Sequence, residues 1–212
     1  MQQNQQAGID LPQRMHAYEN ADGEVQLSYN STSFLQQRHG LDADTPQLTI
    51  IGTVLMGLAE AASGATIDAA TAGSSTVTEN EGLVVVTSTR SFDETYDAFI
   101  TAIGDNGNPG IFREIDHQAN AMGAGLDLGP TRVVLFGNPN VGTPLMVSQA
   151  ASGIDLPLKA LVYEDADGNV LVAYNDPVYI AARHGITDQD MLIGNVTTAV
   201  SGLVATATGT GS

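Results

Sequence analysis

Two stretches of this chain carry the same sequence pattern at a constant offset. Residues 8–41 read GIDLPQRMHAYENADGEVQLSYNSTSFLQQRHGL, and residues 153–186 read GIDLPLKALVYEDADGNVLVAYNDPVYIAARHGI. The two align without a gap, and about half of the aligned positions are identical. Self-similarity of this kind marks one structural unit used twice. We therefore expect the fold to contain the same local structure twice, once in each copy.

The two copies have different surroundings. Element-like sequence from Gly82 onward precedes the second copy, whereas almost nothing precedes the first. We therefore expect residues 1–62 to form the C-terminal half of a duplicated unit and residues 82–208 to form a complete domain. Residues 63–81 are small and polar without any period, which predicts a linker.

The alignment gives a hypothesis about the start of the chain. At the same offset Met1 falls opposite Met146, inside GTPLMVSQ, so Met1 would originally have been an internal methionine. In-frame upstream DNA encoding a strand, a helix and an FGNP-like stretch would confirm this, and its absence would contradict it. Localisation stays unknown on this hypothesis, since a periplasmic or extracellular protein would have its signal upstream.

The order of predicted elements indicates an α+β fold. In each copy two apolar runs flank an Asp-Gly dipeptide, which is a strong hairpin signal, and helical segments follow. In the complete domain a β-branched strand leads to a helix that opens with the capping box Ser91 and Glu94. We expect a small, mainly antiparallel sheet packed against helices, with a partial N-terminal repeat. Strands are predicted at 11–18, 24–29, 82–90, 111–115, 131–136, 156–163 and 170–174, and helices at 31–39, 48–62, 92–105, 118–122, 177–184 and 192–207.

The helix predicted from Leu48 to Ala62 is almost wholly apolar. A helix that is apolar all round needs burial on most of its sides. Its longest apolar run is interrupted by glycine and threonine and is too short to span a bilayer. This segment is therefore predicted to be a core helix.

The charge balance narrows the classes of partner. There are 24 acidic residues against seven basic ones, a formal charge of −17, and Lys159 is the sole lysine. Such a chain repels polyanions, so neither nucleic acid nor a membrane surface is expected as a partner. Because there is no cysteine, thiolate chemistry is excluded. The sequence identifies no cofactor and no metal site, while self-association is expected and a small-molecule ligand stays open.

The dipeptide Asp116-His117 is the first candidate for chemistry. It closes a predicted strand, where side chains can project into a cleft. A histidine beside a carboxylate can serve as a general base, a proton donor or a ligand. The alternative is a histidine that hydrogen-bonds the loop after the strand. Adjacent strand residues point to opposite faces, so the two side chains need not cooperate.

A second candidate is the turn from Gly137 to Thr143, which reads GNPNVGT. Its glycine spacing is similar to that of a phosphate loop, but the lysine is missing, so turn chemistry is the favoured interpretation. Backbone amides there could still hold a neutral or small anionic ligand, with Asn138 and Thr143 beside it. Tyr174-Asn175 either lines a pocket or ends a hairpin and caps the next helix.

Two further motifs have simpler explanations. Residues 165–169, DADGN, resemble the start of a calcium loop, but the glycine is misplaced and the closing glutamate is absent, so a hairpin turn is predicted. His39 and His184 lie in matching Arg-His-Gly helix ends, where a histidine favours the helix dipole. A structural role is expected for both.

These motifs together resemble a known family. The stretches that carry the resemblance are SFDET (91–95), IDH (115–117), GPTRVVLFGNPNVGTPLM (129–146), LPLKALVYEDADG (156–168) and AYNDP (173–177). Their order and spacing are similar to those of the domain of unknown function 302 family. The resemblance covers 82–186 as a full domain and 1–41 as the C-terminal half of another.

The resemblance implies a small, often self-associating α+β domain with no established activity. The first copy lacks IDH and FGNP, so a site built from both halves of the domain can exist only in the second copy. The recurring polar positions of the family fall on Asp116, His117, Asn138, Thr143, Tyr174 and Asn175.

Two functions from different classes follow. The favoured one is a binding or interaction module with a pocket near His117 and the FGNP turn and no covalent chemistry. The alternative is an enzyme, metal-assisted or not, in which His117 acts with help from Asp116 or Asn138. A His117 ring that points into a concave pocket within hydrogen-bond reach of Asn138 or Tyr174 would favour an enzymatic or ligand-binding role. A ring packed under a loop with both nitrogens on backbone atoms would count against that role.

Overall fold

The computed structural model describes residues 1–68, 75–105 and 110–211. The chain divides into two compact units. The first, which we call the hairpin unit, is Asp10–Glu81. The second, which we call the sheet unit, combines Met1–Ile9 with Gly82–Ser212.

The hairpin unit begins with an antiparallel pair of strands and continues with two helices. Asn20 closes the turn between the strands, because its Oδ1 accepts the backbone N–H groups of Asp22 and Glu24 at 3.0 and 2.9 Å. Phe34, Leu35 and Leu48 form its small core. The elements are β1 (Met15–Glu19), β2 (Val25–Tyr29), α1 (Thr32–Arg38) and α2 (Pro46–Ser63).

The sheet unit is built on five antiparallel strands. The first strand of the unit pairs with the last, so one edge of the open sheet is formed by residues far apart in sequence. The bounds in chain order are β3 (Leu83–Thr87), β4 (Gly110–Asp116), β5 (Thr131–Gly137), β6 (Leu158–Glu164) and β7 (Val170–Asn175). Across the sheet the strands run β3-β7-β6-β5-β4.

Helices cover one face of this sheet. Phe99, which is fully buried, meets Phe136 of β5 edge to face at 5.4 Å between ring centroids. Val200 and Val204 come from the last helix of the unit and pack into the same core. The two helices of this core are α3 (Phe92–Asp105) and α7 (Asp190–Thr208). The other helices of the unit are α4 (His117–Gly123), α5 (Pro139–Ser148) and α6 (Pro177–His184).

The opposite face of the sheet carries a second apolar cluster. Val133, Leu161 and Ala173 point to this side because side chains alternate along a strand. Ile9, from the residues that open the chain, is fully buried in the same cluster. Residues 1–9 are therefore part of the sheet unit.

The α+β expectation is confirmed, with an antiparallel sheet packed against helices. The capping box forms as predicted, since both the backbone N–H and the hydroxyl of Ser91 donate to Glu94. Residues 106–109, which follow the helix predicted at 92–105, and the middle of the predicted linker lie outside the described residues. Residues 75–81, the end of the predicted linker, belong to the hairpin unit. They contact its helix α1, where the N–H of Asn80 donates to the carbonyl of Arg38 at 2.9 Å.

Within the described part of the chain, one helix has the length and hydropathy of a membrane span. It is α7, Asp190–Thr208, with a third of its apolar window buried inside the protein.

Candidate functional site

Asp116 ends β4 and caps α4. Its Oδ1 accepts the N–H of Ala119 at 2.8 Å, and its Oδ2 accepts Nε of Arg132 at 3.0 Å. Partial burial raises the pKa of this carboxyl, but the bond from Ala119 and the Arg132 guanidinium outweigh it and lower the pKa below its ordinary value. Asp116 is therefore an ionised cap and ion-pair partner, a poor match to a proton-accepting role at neutral pH.

His117 is the first residue of α4 and is only 5% exposed. Its Nε2 lies 3.0 Å from the backbone carbonyl oxygen of Gly8. A carbonyl can only accept, so Nε2 carries the hydrogen and donates it. The Nε2 side of the ring is thus held against a segment of polypeptide.

The segment that meets His117 is fitted closely to the sheet unit. A Cβ placed on Gly8 would lie 3.1 Å from Cδ1 of Leu161 and 3.2 Å from Cδ2 of the His117 ring. The side-chain amide of Gln5 donates to the Thr131 hydroxyl at 3.0 Å. Side-chain, backbone and apolar contacts therefore all fix residues 1–9 on this part of the sheet.

The other predicted site residues lie elsewhere. Asn138 follows β5 and caps α5, with its Oδ1 accepting the N–H of Asn140 at 2.9 Å. Thr143 is on an exposed side of α5. Tyr174 and Asn175 are both buried at the end of β7, Tyr174 in the helix-side core. The stretch predicted as a GNPNVGT turn is therefore mainly the start of helix α5, which begins at Pro139.

The structure does not bring His117 and the FGNP turn together. In the β4–β5 ladder Asp116 pairs with Arg132, whereas Gly137 pairs with Gly110 at the other end. Strands rise about 3.3 Å per residue, so the length of β5 separates Asn138 from the Asp116 end by roughly 20 Å. Through β6, Tyr174 is level with Val134 in the middle of β5, and Asn175 follows it at the level of Leu135. The six predicted residues are thus spread along the length of the strands and do not meet in one cluster.

One polar cluster beside Asp116 was not predicted. The Arg132 guanidinium lies over the rings of Phe92 and Tyr96, at 5.2 and 4.9 Å from their centroids. The Tyr96 hydroxyl donates to Glu114 at 2.5 Å. Burial and the adjacent Glu114 carboxylate raise the pKa of Tyr96, so the phenol stays protonated and keeps donating. Cation–π contacts and bonds of this kind fix the Asp116 end of β4 in place.

A buried ion-pair cluster fixes the hairpin unit. Oδ2 of Asp10 accepts Nη1 of Arg38 at 2.8 Å and Nε2 of His39 at 2.9 Å, and all three side chains are at most 1% exposed. The Nε of Arg38 also donates to the carbonyl of Glu81 at 3.0 Å. The Arg-His pair at the end of α1 therefore neutralises a buried aspartate, a specific partner that sequence reasoning did not assign.

The sheet unit contains a cluster with the same residue types and the same sequence separations. Oδ2 of Asp155 accepts Nη1 of Arg183 at 3.0 Å and Nε2 of His184 at 2.7 Å. Burial raises the pKa of Asp155, but the bond from His184 and the charges of Arg183 and Lys159 outweigh it and lower the pKa. The identical Gly-Ile-Asp in both copies was the sequence signal that could have identified these aspartates.

A pocket of about 350 Å³ lies in the hairpin unit, in the size range of small-ligand sites. Its lining combines hydroxyl and apolar side chains, among them Tyr29, Ser31, Thr32, Thr49, Thr53, Leu48, Leu55 and Met56. None of the predicted site residues contributes to it. Within residues 1–68, 75–105 and 110–211, no three His, Asp, Glu or Cys side chains are grouped as metal ligands would be.

Comparison with protein families gives a match over most of the chain. The model of the family described as "Domain of unknown function DUF302" matches residues 1–55 and 84–204. The chain belongs to the DUF302 family. The family has no assigned function, and this agrees with the resemblance drawn from the IDH and FGNP stretches.

A solved DUF302 structure has the same fold. The crystal structure of an uncharacterized conserved DUF302 protein from Bacillus stearothermophilus superposes with a TM-score of 0.54 at 15% sequence identity. The match covers 60% of this chain and 98% of that one. At this identity the likeness establishes the α+β fold of the DUF302 chain and nothing about its activity.

The curated proteins to which this DUF302 chain is similar are named as ion channels. "Fluoride-specific ion channel FluC 1" of Brucella suis biovar 1 (strain 1330) is 41% identical over 107 residues, which is 50% of this chain and 42% of that protein. "Fluoride-specific ion channel FluC 2" of Brucella melitensis biotype 1 is 41% identical over 107 residues, 39% of its length. The chain spans about two fifths of the length of these relatives.

Proposed function

We propose that this DUF302 chain is a non-enzymatic binding module whose complete domain holds a polypeptide segment against His117. The observation that carries the proposal is the 3.0 Å bond from Nε2 of His117 to the carbonyl of Gly8. A backbone carbonyl is a feature that every peptide offers, while the tight fit at Gly8 restricts which peptides can lie there. The site thus combines a hydrogen bond to the backbone, which any peptide could make, with close packing at Gly8, which selects among peptides.

The chemistry of the dipeptide favours binding over the enzymatic alternative. A general base must reach the proton that it removes, and Nε2 of His117 is already occupied by a carbonyl. The Asp116 carboxylate is bound to Arg132 and to the cap of α4. The assisting residue of the alternative, Asn138, lies at the far end of the sheet. An enzyme built on these residues would have to displace the segment first.

We expect Gly8→Val to release residues 1–9 from the sheet unit of the full-length chain. Valine adds a branched side chain where even one Cβ is in tight contact with Leu161 and His117. Diethyl pyrocarbonate modifies accessible imidazoles, and mass spectrometry locates the modified residues. His117 should be protected in the wild-type chain and should become at least about tenfold more reactive in Gly8→Val, because exposed side chains react freely while segment binding limits opening.

Two controls make this test specific. Gln3→Val alters an exposed position of the same segment and should leave His117 protected. His184, in the same unit, should stay unmodified in Gly8→Val, which separates local release from unfolding of the unit. Equal reactivity of His117 in the wild-type and Gly8→Val chains would contradict the proposal, as would acquisition by Gly8→Val of a His117-dependent hydrolytic activity.

We also infer that the chain contains one complete DUF302 unit and the C-terminal half of a second. The two Asp-Arg-His clusters support this inference, since they share residue types, separations and bonding pattern. Their hairpin turns agree as well, with Gly23 and Gly168 at φ of 78° and 79°. The cluster recurs in the copy that lacks IDH and FGNP, which supports a structural role for it.

We propose that the part shared with the Brucella proteins is not their fluoride-conducting part. A helix needs about 20 apolar residues to cross a bilayer, and among the described residues α7 alone has that length and hydropathy. Its Val200, Leu203 and Val204 pack into the core of the sheet unit. Liposomes prepared with this chain should therefore release fluoride no faster than empty liposomes, and chain-dependent efflux measured with a fluoride electrode would contradict the proposal.

A further inference from the structure

The pocket of the hairpin unit has a corresponding region in the sheet unit. The offset that aligns Gly8 with Gly153 also aligns Gly64 with Gly209, the left-handed glycines that end α2 and α7. Each residue that lines the pocket therefore has an aligned counterpart in the sheet unit. The sheet unit thus shows which residues occupy the corresponding place when more of the fold is present.

In the sheet unit the corresponding place is filled by α5. Leu145 of that helix lies in one apolar cluster with Ala181 and Ile193. These two residues are the counterparts of Gln36 and Leu48, which line the pocket of the hairpin unit. In the hairpin unit the same place is an open pocket of about 350 Å³.

The lining of the pocket does not repeat the contacts that hold α5. Gln36 stands where the sheet unit has Ala181, so a leucine entering the pocket would meet an amide instead of a methyl group. Ala43 stands where the sheet unit has Asp188, whose carboxylate accepts the hydroxyl of Ser148 from α5. The pocket therefore lacks both the apolar and the polar partner of such a helix, and its chemistry fits a more polar occupant.

Hydroxyl groups give the pocket its capacity for hydrogen bonding. Among the residues that the structure describes, the hydroxyls of Tyr29, Thr32 and Thr49 make no hydrogen bond within the protein. The hydroxyl of Thr53 donates to the carbonyl of Thr49 at 3.0 Å and can still accept. Because a hydroxyl can both donate and accept, a ligand that carries hydroxyl groups can pair with each of these side chains.

The rest of the lining selects against charge. Leu48, Leu55 and Met56 supply an apolar part, and no carboxylate or basic side chain is among the lining residues, all of which the structure describes. A cation bound there would lack a carboxylate partner, and an anion would be repelled by a chain of formal charge −17. A neutral ring with an apolar face and hydroxyl groups at its edge matches both parts of the lining.

We propose that the pocket of the hairpin unit binds a neutral polyhydroxy compound of the size of a single sugar ring. The volume of about 350 Å³ is at the lower end of the range of small-ligand sites, which suits one ring and not a chain of several. The proposal goes beyond the segment-binding function, because it concerns the other unit and a small molecule. It holds or fails independently of the contact at His117.

The test titrates the full-length chain with D-glucose and with myo-inositol, two neutral compounds of this class. Binding is followed by the NMR signals of the backbone amides of residues 29–56. At least one of the two compounds should give saturable shifts with a Kd of about millimolar, as expected for a ligand of this size. D-glucuronate keeps the ring of glucose and adds a carboxylate, so it should bind at least about tenfold more weakly than D-glucose.

Gly52→Leu blocks the pocket without removing a lining side chain. A Cβ on Gly52 would lie 3.4 Å from Cγ2 of Thr32, which also lines the pocket, so the leucine side chain extends into the open space. Leucine is a better helix former than glycine, so the helix is retained. The matched control is Gly57→Leu in the same helix, where a Cβ would meet nothing within 4 Å. Gly52→Leu should abolish binding, and Gly57→Leu should bind as the wild type does.

A pair of aligned threonines tests the hydrogen bonding. Thr53 and Thr198 are counterparts, both are exposed, and each donates to the carbonyl four residues before it at 3.0 Å. Only Thr53 lines the pocket. Thr53→Val should therefore weaken binding by about two- to tenfold, the effect of one lost hydrogen bond, whereas Thr198→Val should leave binding unchanged.

Four results would overturn the proposal. The first is that neither neutral compound gives saturable shifts, and the second is that Gly52→Leu binds as well as the wild type. The third is that D-glucuronate binds as tightly as D-glucose. The fourth is that a peptide of residues 138–149 binds and shifts the same amide signals, since the pocket would then be the seat of a helix like α5.

Discussion

Replacing Asp10 by alanine is expected to lower the free energy of unfolding of the hairpin unit by about 3–5 kcal/mol. The carboxylate is the shared partner of Arg38 and His39, and all three side chains are almost completely buried. Without it, the Arg38 guanidinium keeps its charge in a low-dielectric site that has lost its carboxylate, while its Nε still donates to the carbonyl of Glu81. Urea unfolding followed by circular dichroism measures the loss.

The sheet unit provides the matched comparison. In its cluster Arg183 is 24% exposed and can be hydrated, so Asp155→Ala should destabilise the protein less than Asp10→Ala. Asp44→Ala removes the same charge from an exposed position of the hairpin unit and should change stability little. Equal effects of Asp10→Ala and Asp44→Ala would show that the buried cluster does not stabilise the fold.

The same cluster predicts a pH dependence. Because the pKa of Asp155 is lowered in the folded protein, its carboxylate stabilises the fold above the unfolded pKa of about 3.9. That contribution is lost as the pH falls through the folded value. The stability difference between wild type and Asp155→Asn should therefore be constant near neutral pH and shrink below about pH 4.

Replacing Gly82 by alanine is expected to destabilise the sheet unit by about 2–5 kcal/mol, from left-handed backbone strain and overpacking together. Gly82 has φ +68°, and a Cβ there would lie 2.1 Å from Cγ of the Tyr179 ring. Because Cγ is the near end of that side chain, the ring cannot turn away without moving α6. Gly82 also accepts the N–H of Asp176 at 2.9 Å, directly before α6.

Gly185 separates the two causes. It has φ +66°, and a Cβ there would meet nothing within 4 Å, so Gly185→Ala should cost only the backbone term of about 1–2 kcal/mol. In a Tyr179→Ala background the cost of Gly82→Ala should fall to a similar value. Thermal unfolding of the single and double variants measures both, and identical losses for Gly82→Ala and Gly185→Ala would contradict the packing explanation.

Local patterns in the sequence predicted most of the elements of this fold. The apolar run that became β5 and the capping box that opens α3 are read from neighbouring residues, because their causes are local. The hairpin turns are local too, closed in the second copy by Asp165, whose Oδ1 accepts the N–H of Asn169 at 2.8 Å. The hairpin turn predicted at residues 165–169 is thus held by local hydrogen bonds of Asp165.

Contacts between residues far apart in sequence could not be predicted from local patterns. The distance between His117 and Asn138 depends on the register of β4 against β5, and no local pattern specifies that register. Asp10 lies far in sequence from Arg38 and His39, so its burial beneath them was not visible from its neighbours. The contact of Gly8 with His117 is more distant still, and it decides how the candidate site is interpreted.

One measurement tests the central claim most directly. A labelled peptide of residues 1–12 is titrated into the full-length Gly8→Val chain, whose own segment is displaced, and binding is followed by fluorescence anisotropy and by the NMR signals of His117. We expect saturable one-to-one binding that shifts these signals, with no binding to the wild-type chain and none of a peptide carrying Gly8→Val. Failure of the wild-type peptide to bind at up to about millimolar concentration, the effective concentration of a short tether, would contradict the account.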